Sequence, residues 1–411
     1  MKRSLNCSYR LVWSEVQRAF IVVSELTRAK GKRASGAVLL TAAVGSALAS
    51  GGAFAFTPDV TSSVQDEQVL NGTQQVLVGG TTTNHTIGAQ GNQIVAGGLA
   101  QKTTLTDGGV QIVRQQGVAT GTTINDGLQV IEKDGQAQRT VILKGGVQGV
   151  NGTSVNTVVG NGGEQHVFAS GTATTTLINS GGTQSVDGTA ISAIVKDGGT
   201  QLVNSGGLAK NTQVNSGGLQ HVSLGGASAD AHLFGGVQQL AGTASNTQID
   251  SGAEQHIEAT GLSVSATVNS GGLQNVDGTA NYATVNNGGT QLVQTGGHAN
   301  STVVRDGGVQ DVKLGGAASG SILLGGTQEL AGTAGDTIIG NGGVQHVQVG
   351  ANASGSLINA GGLQRVDGTA KTTTINDQGI QLVNRGGLAN TTALNSGGLQ
   401  YVAEGGAAAD S

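Results

Sequence analysis

Residues 201–220 decide the fold of this chain, and they read QLVNSGGLAKNTQVNSGGLQ. Val, Leu and Thr in the short runs Gln201–Val203 and Thr212–Val214 favour strands. The Asn-Ser-Gly-Gly corner after each run suits the positive φ angles that tight turns need. Because Gln220 begins the same pattern again, the stretch predicts one rung made of two short strands with glycine corners.

A glutamine two positions before a Val, Leu or Ile returns every 17 to 19 residues along most of the chain. The members of this glutamine ladder are Gln74, Gln93, Gln111, Gln129, Gln148, Gln165, Gln184, Gln201, Gln220, Gln238, Gln255, Gln274, Gln291, Gln310, Gln328, Gln345, Gln364, Gln381 and Gln400. One rung cannot bury an apolar face alone, so the rungs must stack. We therefore predict an all-β fold, a right-handed parallel β-helix (solenoid) of about nineteen rungs, on the order of 90 Å long at ~4.8 Å per rung.

A longer period overlies the short one. Asp-Gly-Thr-Ala occurs at residues 187–190, 277–280 and 367–370, so the copies start ninety residues apart. Ala-Gly-Thr-Ala at 241–244 and 331–334 has the same spacing. Five rungs therefore form one higher unit, which indicates that the chain lengthened by tandem copying rather than by building one active site.

The ladder glutamines allow two interpretations. A column of exposed amides could hold a sugar. Alternation along a strand, however, puts each Gln on the same side as the Val two residues later. If that Val faces the core, the glutamines form a buried amide ladder in which each side chain bonds the next. We favour the buried ladder.

Composition and charge exclude several classes of protein. The 411 residues include 73 Gly, 2% aromatic and 11% charged residues, which is unlike a globular enzyme with a large core. Removing residues 1–55 takes away eight of the 20 Lys and Arg and two of the 25 Asp and Glu, so the remainder carries a formal charge of −11. Such a chain does not bind nucleic acid by counterion release. Cys7 is the only cysteine, which excludes a disulfide framework.

The first 55 residues read as an export signal. Lys30, Lys32 and Arg33 precede an uncharged stretch at 34–53, and Ala53-Phe54-Ala55 supplies small residues for cleavage between Ala55 and Phe56. A transmembrane anchor is the alternative, although Gly, Ser and Ala dilute the apolar run. We predict a signal peptide at 1–55, an N-terminal lead-in segment at 56–72 and β-helical repeats at 73–411.

The leader is too long for a simple signal, and the excess has its own character. Residues 9–13 (YRLVW), 19–26 (AFIVVSEL) and 31–33 (GKR) resemble the extended signal region of large Gram-negative autotransporters. The resemblance implies export across the inner membrane.

We also considered metal and calcium sites. His166, His221, His256 and His346 each follow a ladder glutamine, but the nearest two are two rungs apart, on the order of 10 Å, which is too far for one zinc ion. Corner acids such as Asp107, Asp197 and Asp306 lack the regular spacing of calcium-binding repeats. We expect no metal and no cofactor.

Catalysis receives equally little support from the sequence. Polysaccharide-cleaving enzymes need converging carboxylates in a cleft. Every interval between ladder glutamines is 17 to 19 residues, so no inserted loop is available to form that cleft. We therefore expect no enzyme activity and no catalytic residues.

The second strand of each rung carries apolar residues at neighbouring positions. If Val159, Val304 and Ile339 point inward, then Val158, Val303 and Ile338 point outward. An apolar and Thr-rich outer stripe suits pairing with another rod. Alternatively, the stripe only avoids charge repulsion along the stack.

Together, the leader and the Gly-Gly-x-Gln-x-Val rungs resemble the self-associating, AIDA-like autotransporter adhesins. The resemblance implies secretion through the Sec pathway to the Gram-negative cell surface, and a passenger that promotes autoaggregation, biofilm formation and attachment to host cells. Implied partners are a second copy of the chain, a host surface receptor or glycan, and a heptosyltransferase that would modify Ser or Thr. Residues 402–411 align with 312–321, inside a rung, and no translocator barrel follows, so we expect a truncated passenger.

Two other functions stay open from the sequence. The chain could serve chiefly as a heptosylated glycosyltransferase acceptor. It could also be a β-helical polysaccharide-cleaving enzyme.

Overall fold

The structure is a computed structural model that describes Tyr9–Ser14, Ala19–Ser24 and residues 56–410. The chain divides into two compact units, Met1–Ala53 and Phe54–Ser411. In the first unit, Tyr9–Ser14 and Ala19–Ser24 pair as antiparallel strands, with Tyr9 opposite Ser24. The rest of the predicted signal peptide, including Ala55, lies outside the described residues.

The second unit is a parallel β-solenoid of about 20 turns, close to the nineteen predicted rungs. Successive turns pair in register, as Gln201 with Gln220 and Val203 with Val222 show. Nothing in the described part of the chain forms a helix long and apolar enough to span a bilayer.

Each complete turn contains three strands, which we call the glutamine strand, the middle strand and the third strand. The glutamine strands are Asp59–Val60, Gln68–Val76, Thr86–Ala96, Val110–Arg114, Leu128–Ile131, Val147–Val150, Glu164–Val167, Thr183–Val186, Thr200–Val203, Leu219–Val222, Val237–Leu240, Glu254–Ile257, Leu273–Val276, Thr290–Val293, Val309–Val312, Thr327–Leu330, Val344–Val347, Leu363–Val366, Ile380–Val383 and Leu399–Val402.

The middle strands are Ser63–Gln65, Thr81–Thr83, Leu99–Gln101, Val118–Thr120, Gln136–Gln138, Thr153–Val155, Thr172–Thr174, Thr189–Ile191, Leu208–Lys210, Ala227–Ala229, Thr243–Ser245, Leu262–Val264, Thr279–Asn281, His298–Asn300, Ala317–Ser319, Thr333–Gly335, Asn352–Ser354, Thr369–Lys371, Leu388–Asn390 and Ala407–Ala409.

The third strands are Thr104–Thr106, Thr123–Asn125, Val141–Ile142, Val158–Val159, Leu177–Ile178, Ile194–Val195, Gln213–Asn215, His232–Phe234, Gln248–Ile249, Thr267–Val268, Thr284–Val285, Val303–Arg305, Ile322–Leu324, Ile338–Ile339, Leu357–Ile358, Thr374–Ile375 and Ala393–Leu394. In the first turns, Gln68–Val76 and Thr86–Ala96 are long enough to serve as both third and glutamine strand.

The middle strand corrects the predicted two-strand rung. Within residues 201–220 the middle strand is Leu208–Lys210, which is left unassigned between the two strands predicted from the sequence. Only Ala209 of this strand points inward. One small inward residue among three gives no apolar alternation to recognise.

The core is a narrow column filled by five side chains from each turn. In one turn these are Gln201, Val203, Ala209, Thr212 and Val214, all fully buried. The same five positions hold Gln, an aliphatic residue, Ala or Ser, Thr or Ser, and an aliphatic residue in most turns. Small, aliphatic and amide side chains therefore fill the core of these turns.

The coil begins before the first ladder glutamine. Asp59 pairs with Gln75, and Ser63 pairs with Thr81, so residues that we assigned to the lead-in segment form a turn. Phe56 packs into the adjoining core and is 8% exposed. The register places Pro58 opposite Gln74. Because the ladder position of this turn holds a proline, the glutamine pattern did not indicate the turn.

Candidate functional site

The glutamine ladder lies inside the coil. From Gln93 onward, each Nε2 donates to Oε1 of the ladder glutamine one turn earlier, at 2.5–2.9 Å. All of the ladder side chains from Gln74 to Gln381 are fully buried. The buried interpretation is confirmed, and these amides are not available to a sugar.

A second column of polar groups satisfies the ladder, and the sequence analysis did not identify it. In most turns a Thr or Ser hydroxyl just before the third strand donates to a ladder Oε1, as Thr212 does to Gln201 at 3.1 Å and Thr302 to Gln291 at 3.0 Å. His85 replaces that hydroxyl near the start of the coil, with Nδ1 3.1 Å from Gln74 Oε1. Burial lowers the pKa of His85, which favours the neutral ring.

The donor end of the ladder is closed by a carboxylate. Glu67 accepts hydrogen bonds from Gln74 Nε2 at 2.9 Å and from the Thr57 backbone and hydroxyl at 2.9 and 2.7 Å. The first amide of the ladder is therefore satisfied without a preceding glutamine.

Two apolar patches lie on the outer face of the third strands. As predicted, Val159, Val304 and Ile339 are fully buried, while Val158, Val303 and Ile338 face outward. Patch one is Val141, Val158, Leu177 and Ile194, and patch two is Val303, Ile322, Ile338 and Leu357, each set in register over four successive turns. Gln213, His232, Gln248, Thr267 and Thr284 separate the two patches.

The outer face of the glutamine strands carries the histidines. His166, His221, His256 and His346 are partly exposed there. The structure adds carboxylate partners that the sequence analysis missed: His256 Nε2 lies 2.6 Å from Asp277 Oδ2, and His346 Nε2 lies 2.7 Å from Asp367 Oδ2. These partners are 21 residues apart in sequence. They lie close together in space because the residues between them make about one turn of the coil.

Hydrogen bonds shift the pKa of His346 and of Glu164 on this face. Burial alone would lower the pKa of His346, but the hydrogen bonds to Asp367 and Glu329 outweigh it and raise this pKa. The hydrogen bond to His166 lowers the pKa of Glu164. Within the residues that the structure describes, no group of three or more His, Cys, Asp or Glu in one chain is arranged to hold a metal ion.

One shallow groove, of about 620 Å³, lies where a two-residue corner at Asn151–Gly152 is flanked by longer corners. Its charged lining residues are Lys133 and Asp134, with amides and hydroxyls around them. A glycosidase needs two carboxyl groups facing each other. This groove contains one carboxyl group, that of Asp134.

The structure describes only one of the two residues at the predicted signal cleavage site. Ala55 lies outside the described residues, whereas Phe56 is part of the first buried cluster. Cleavage between them stays a prediction.

Residues 6–54 match the family model described as the extended signal peptide of the type V secretion system. The solenoid is similar to a crystal structure of a hyper-glycosylated TibA fragment whose glycosylation was catalysed by TibC, with a TM-score of 0.56 and 36% sequence identity. The match covers 67% of this chain and 99% of that one. The extended signal peptide indicates Sec-dependent export to the Gram-negative cell surface. A solenoid of this kind behind such a signal is an autotransporter passenger, and the chain belongs to the AIDA-like autotransporter adhesins.

Proposed function

We propose that this chain acts as a surface adhesin without turnover, joining bacteria to one another in aggregates and biofilm and attaching them to a receptor or glycan on host cells. The two apolar patches on the third-strand face carry the proposal. Each patch consists only of aliphatic side chains in register over four turns, on a chain whose exported part has a formal charge of −11. Contiguous outward apolar surface of this kind is typical of an interaction site.

The energetics favour pairing through both patches together. Covering eight partly exposed aliphatic side chains is worth on the order of 4–8 kcal/mol, at roughly 0.5–1 kcal/mol each. Association costs a comparable amount in lost translational and rotational freedom. One patch alone is therefore marginal, whereas two patches about nine turns apart, on the order of 43 Å, reinforce each other by avidity.

A second copy of the chain fits this arrangement. If its rod runs in the opposite direction, with a two-fold axis near Gln248, patch one of each copy lies on patch two of the other. The polar residues between the patches then face each other at the centre. Such a contact is isologous and closes on itself.

The test compares cells that display the parent chain with cells that display the Val158→Asp, Ile338→Asp double variant. Burying these carboxylates at an interface is unfavourable, so we expect the double variant to settle and clump far less, at equal surface display. Leu202→Asp, on the glutamine-strand face, is the matched control and should clump like the parent. Normal clumping by the double variant would sink the proposal.

A second role, as acceptor of a heptosyltransferase, is supported by the TibA fragment, which is hyper-glycosylated. This chain exposes hydroxyls at repeated corners, among them Ser180, Ser216, Ser251 and Ser270. The intact mass of the exported chain made with and without a heptosyltransferase decides the matter. Equal masses would remove this role.

The absence of turnover is also tested directly. Incubating the exported chain with acidic and neutral polysaccharides should leave their chain length unchanged. Measurable shortening would favour the enzyme alternative instead.

A further inference from the structure

One pair of residues recurs three times on the outer face of the glutamine strands. A histidine just after a ladder glutamine is followed 21 residues later by the Asp of an Asp-Gly-Thr-Ala corner: His166 and Asp187, His256 and Asp277, His346 and Asp367. The copies are ninety residues, or five turns, apart. Each Asp lies in the turn after its His, two residues beyond the register partner of that His.

Two of the three copies are closed in the structure by the same two atoms. Nε2 to Oδ2 is 2.6 Å for His256 and Asp277 and 2.7 Å for His346 and Asp367. In the first copy, His166 Nε2 instead lies 3.1 Å from Glu164 Oε2. These side chains are roughly one-third exposed, so they are open to an ion from solvent and to a second chain.

Each copy also has a second carboxylate nearby. Glu164 lies two residues before His166, and Glu254 stands in the same position before His256. In the third copy Glu329, one turn earlier, lies 2.9 Å from His346 Nδ1. One imidazole and two carboxylates therefore mark each copy, and facing copies from two rods would repel each other.

One imidazole and one carboxylate are half of the ligands that a four-coordinate zinc ion needs. Zinc takes four N, O or S ligands in tetrahedral geometry, and imidazole with carboxylate is a ligand set it accepts. Ligand atoms about 2.0–2.1 Å from zinc lie about 3.3 Å apart, so the His–Asp pair needs to open only slightly. A zinc-bound His usually donates its other ring N–H to a carboxylate, which is the position of Glu329 beside His346.

We propose that Zn²⁺ binds at these His–Asp pairs and bridges two copies of the chain, with each copy supplying one imidazole and one carboxylate to each ion. Bridging offsets the repulsion between the facing carboxylates. Because the three pairs are equally spaced, on the order of 24 Å apart, all three centres of one rod coincide with three of another. The His256 pair should bind zinc more tightly than the His346 pair, because Asn275 lies beside His256 where the cation Arg365 lies beside His346.

The inference concerns a different face from the apolar patches and stands without them. The exported chain carrying Val158→Asp and Ile338→Asp, so that the apolar patches do not pair it, is purified and titrated with micromolar ZnCl₂ at pH 7.5 while its mass is followed by sedimentation velocity. We expect a shift from single to paired rods that EDTA reverses and that MgCl₂ does not produce. Equilibrium dialysis should find on the order of three zinc ions per pair.

The decisive variant is His256→Gln with His346→Gln. It should need at least about tenfold more zinc to pair, with an unchanged far-UV circular dichroism spectrum in EDTA. His221→Gln is the matched control: it lies in the same column, but Gly242 occupies the position 21 residues later. This control should respond to zinc like the parent.

The proposal would be overturned by no mass change with zinc, by the same zinc response with and without His256→Gln and His346→Gln, or by zinc bound to chains that stay single. Loss of pairing in His221→Gln would also count against it, because that histidine has no Asp partner at this spacing. Clumping of cells in EDTA is governed by the apolar patches, so the failure of one proposal is distinguishable from the failure of the other.

Discussion

Replacing Gln291 removes one member of the glutamine ladder near the middle of the coil. Gln291 is fully buried and donates to Gln274 at 2.7 Å. It also accepts from Gln310 at 2.8 Å and from Thr302 at 3.0 Å. Gln291→Ala therefore leaves three buried polar atoms without these partners: Gln274 Oε1, Gln310 Nε2 and Thr302 Oγ1.

The expected loss is large relative to the stability of a domain. Three unsatisfied buried groups cost about 1–2 kcal/mol each, and the void adds roughly 1–2 kcal/mol. The sum is about 4–8 kcal/mol, against about 5–15 kcal/mol for a whole domain. Gln291→Leu fills the void but leaves the same three atoms unpaired, so we expect it to lose about 3–6 kcal/mol.

Urea unfolding of the exported chain, followed by far-UV circular dichroism, measures these losses. Because each turn contacts only its neighbours, unfolding of Gln291→Ala should also split into two steps. Thr290→Ala, at the adjacent outward position, is the control and should change stability by about 0.5 kcal/mol or less. If Gln291→Leu costs less than about 1 kcal/mol, buried amide pairing is not what holds the ladder together.

Other expectations follow from the pH response and from the corners. Because the pKa of His346 is raised, its contribution to stability is full below the ordinary His pKa and is lost as pH rises through the raised value. The melting temperatures of the parent and His346→Gln should therefore differ more at pH 6 than at pH 8.5. An equal difference at the two pH values would contradict the pairing with Asp367 and Glu329. At one corner, Gly206 has φ +83° with open space around an added Cβ, whereas a Cβ on Gly207 would overlap the Val186 carbonyl oxygen. Gly206→Ala should cost about 1 kcal/mol and Gly207→Ala at least about 2 kcal/mol more, as urea unfolding measures; similar losses in the two variants would refute the close approach.

The repeat allowed the main architecture to be predicted, because one spacing constrained every turn. Gln201 and Gln220 stand in register, and the aliphatic residue two positions after each fixes which side faces the core. The middle strands were missed because their single inward residue, such as Ala209, carries too little hydrophobic signal. The first turn was missed because Pro58 stands where the ladder would place a glutamine.

The outer face was predicted only in part. Alternation was enough to place Val158 and Ile338 outward. The pairing of His346 with Asp367 was not predictable in the same way. Asp367 lies in a two-residue corner one turn after His346, and the path of that corner decides whether the two side chains meet. Contacts across turns follow from corner length, which a strand pattern does not contain.

The amide ladder has a direction. Every Nε2 donates toward the start of the chain, so the side-chain dipoles add up along the coil as peptide dipoles do in a helix. The negative charge of Glu67 lies at the donor end, which is the end where an anion is favourable. At the other end of the ladder, each added turn offers a glutamine Oε1 to the next turn, as the turn before it did. A block of five turns can therefore be gained or lost within the coil while the polarity of the column and its charged terminus stay the same.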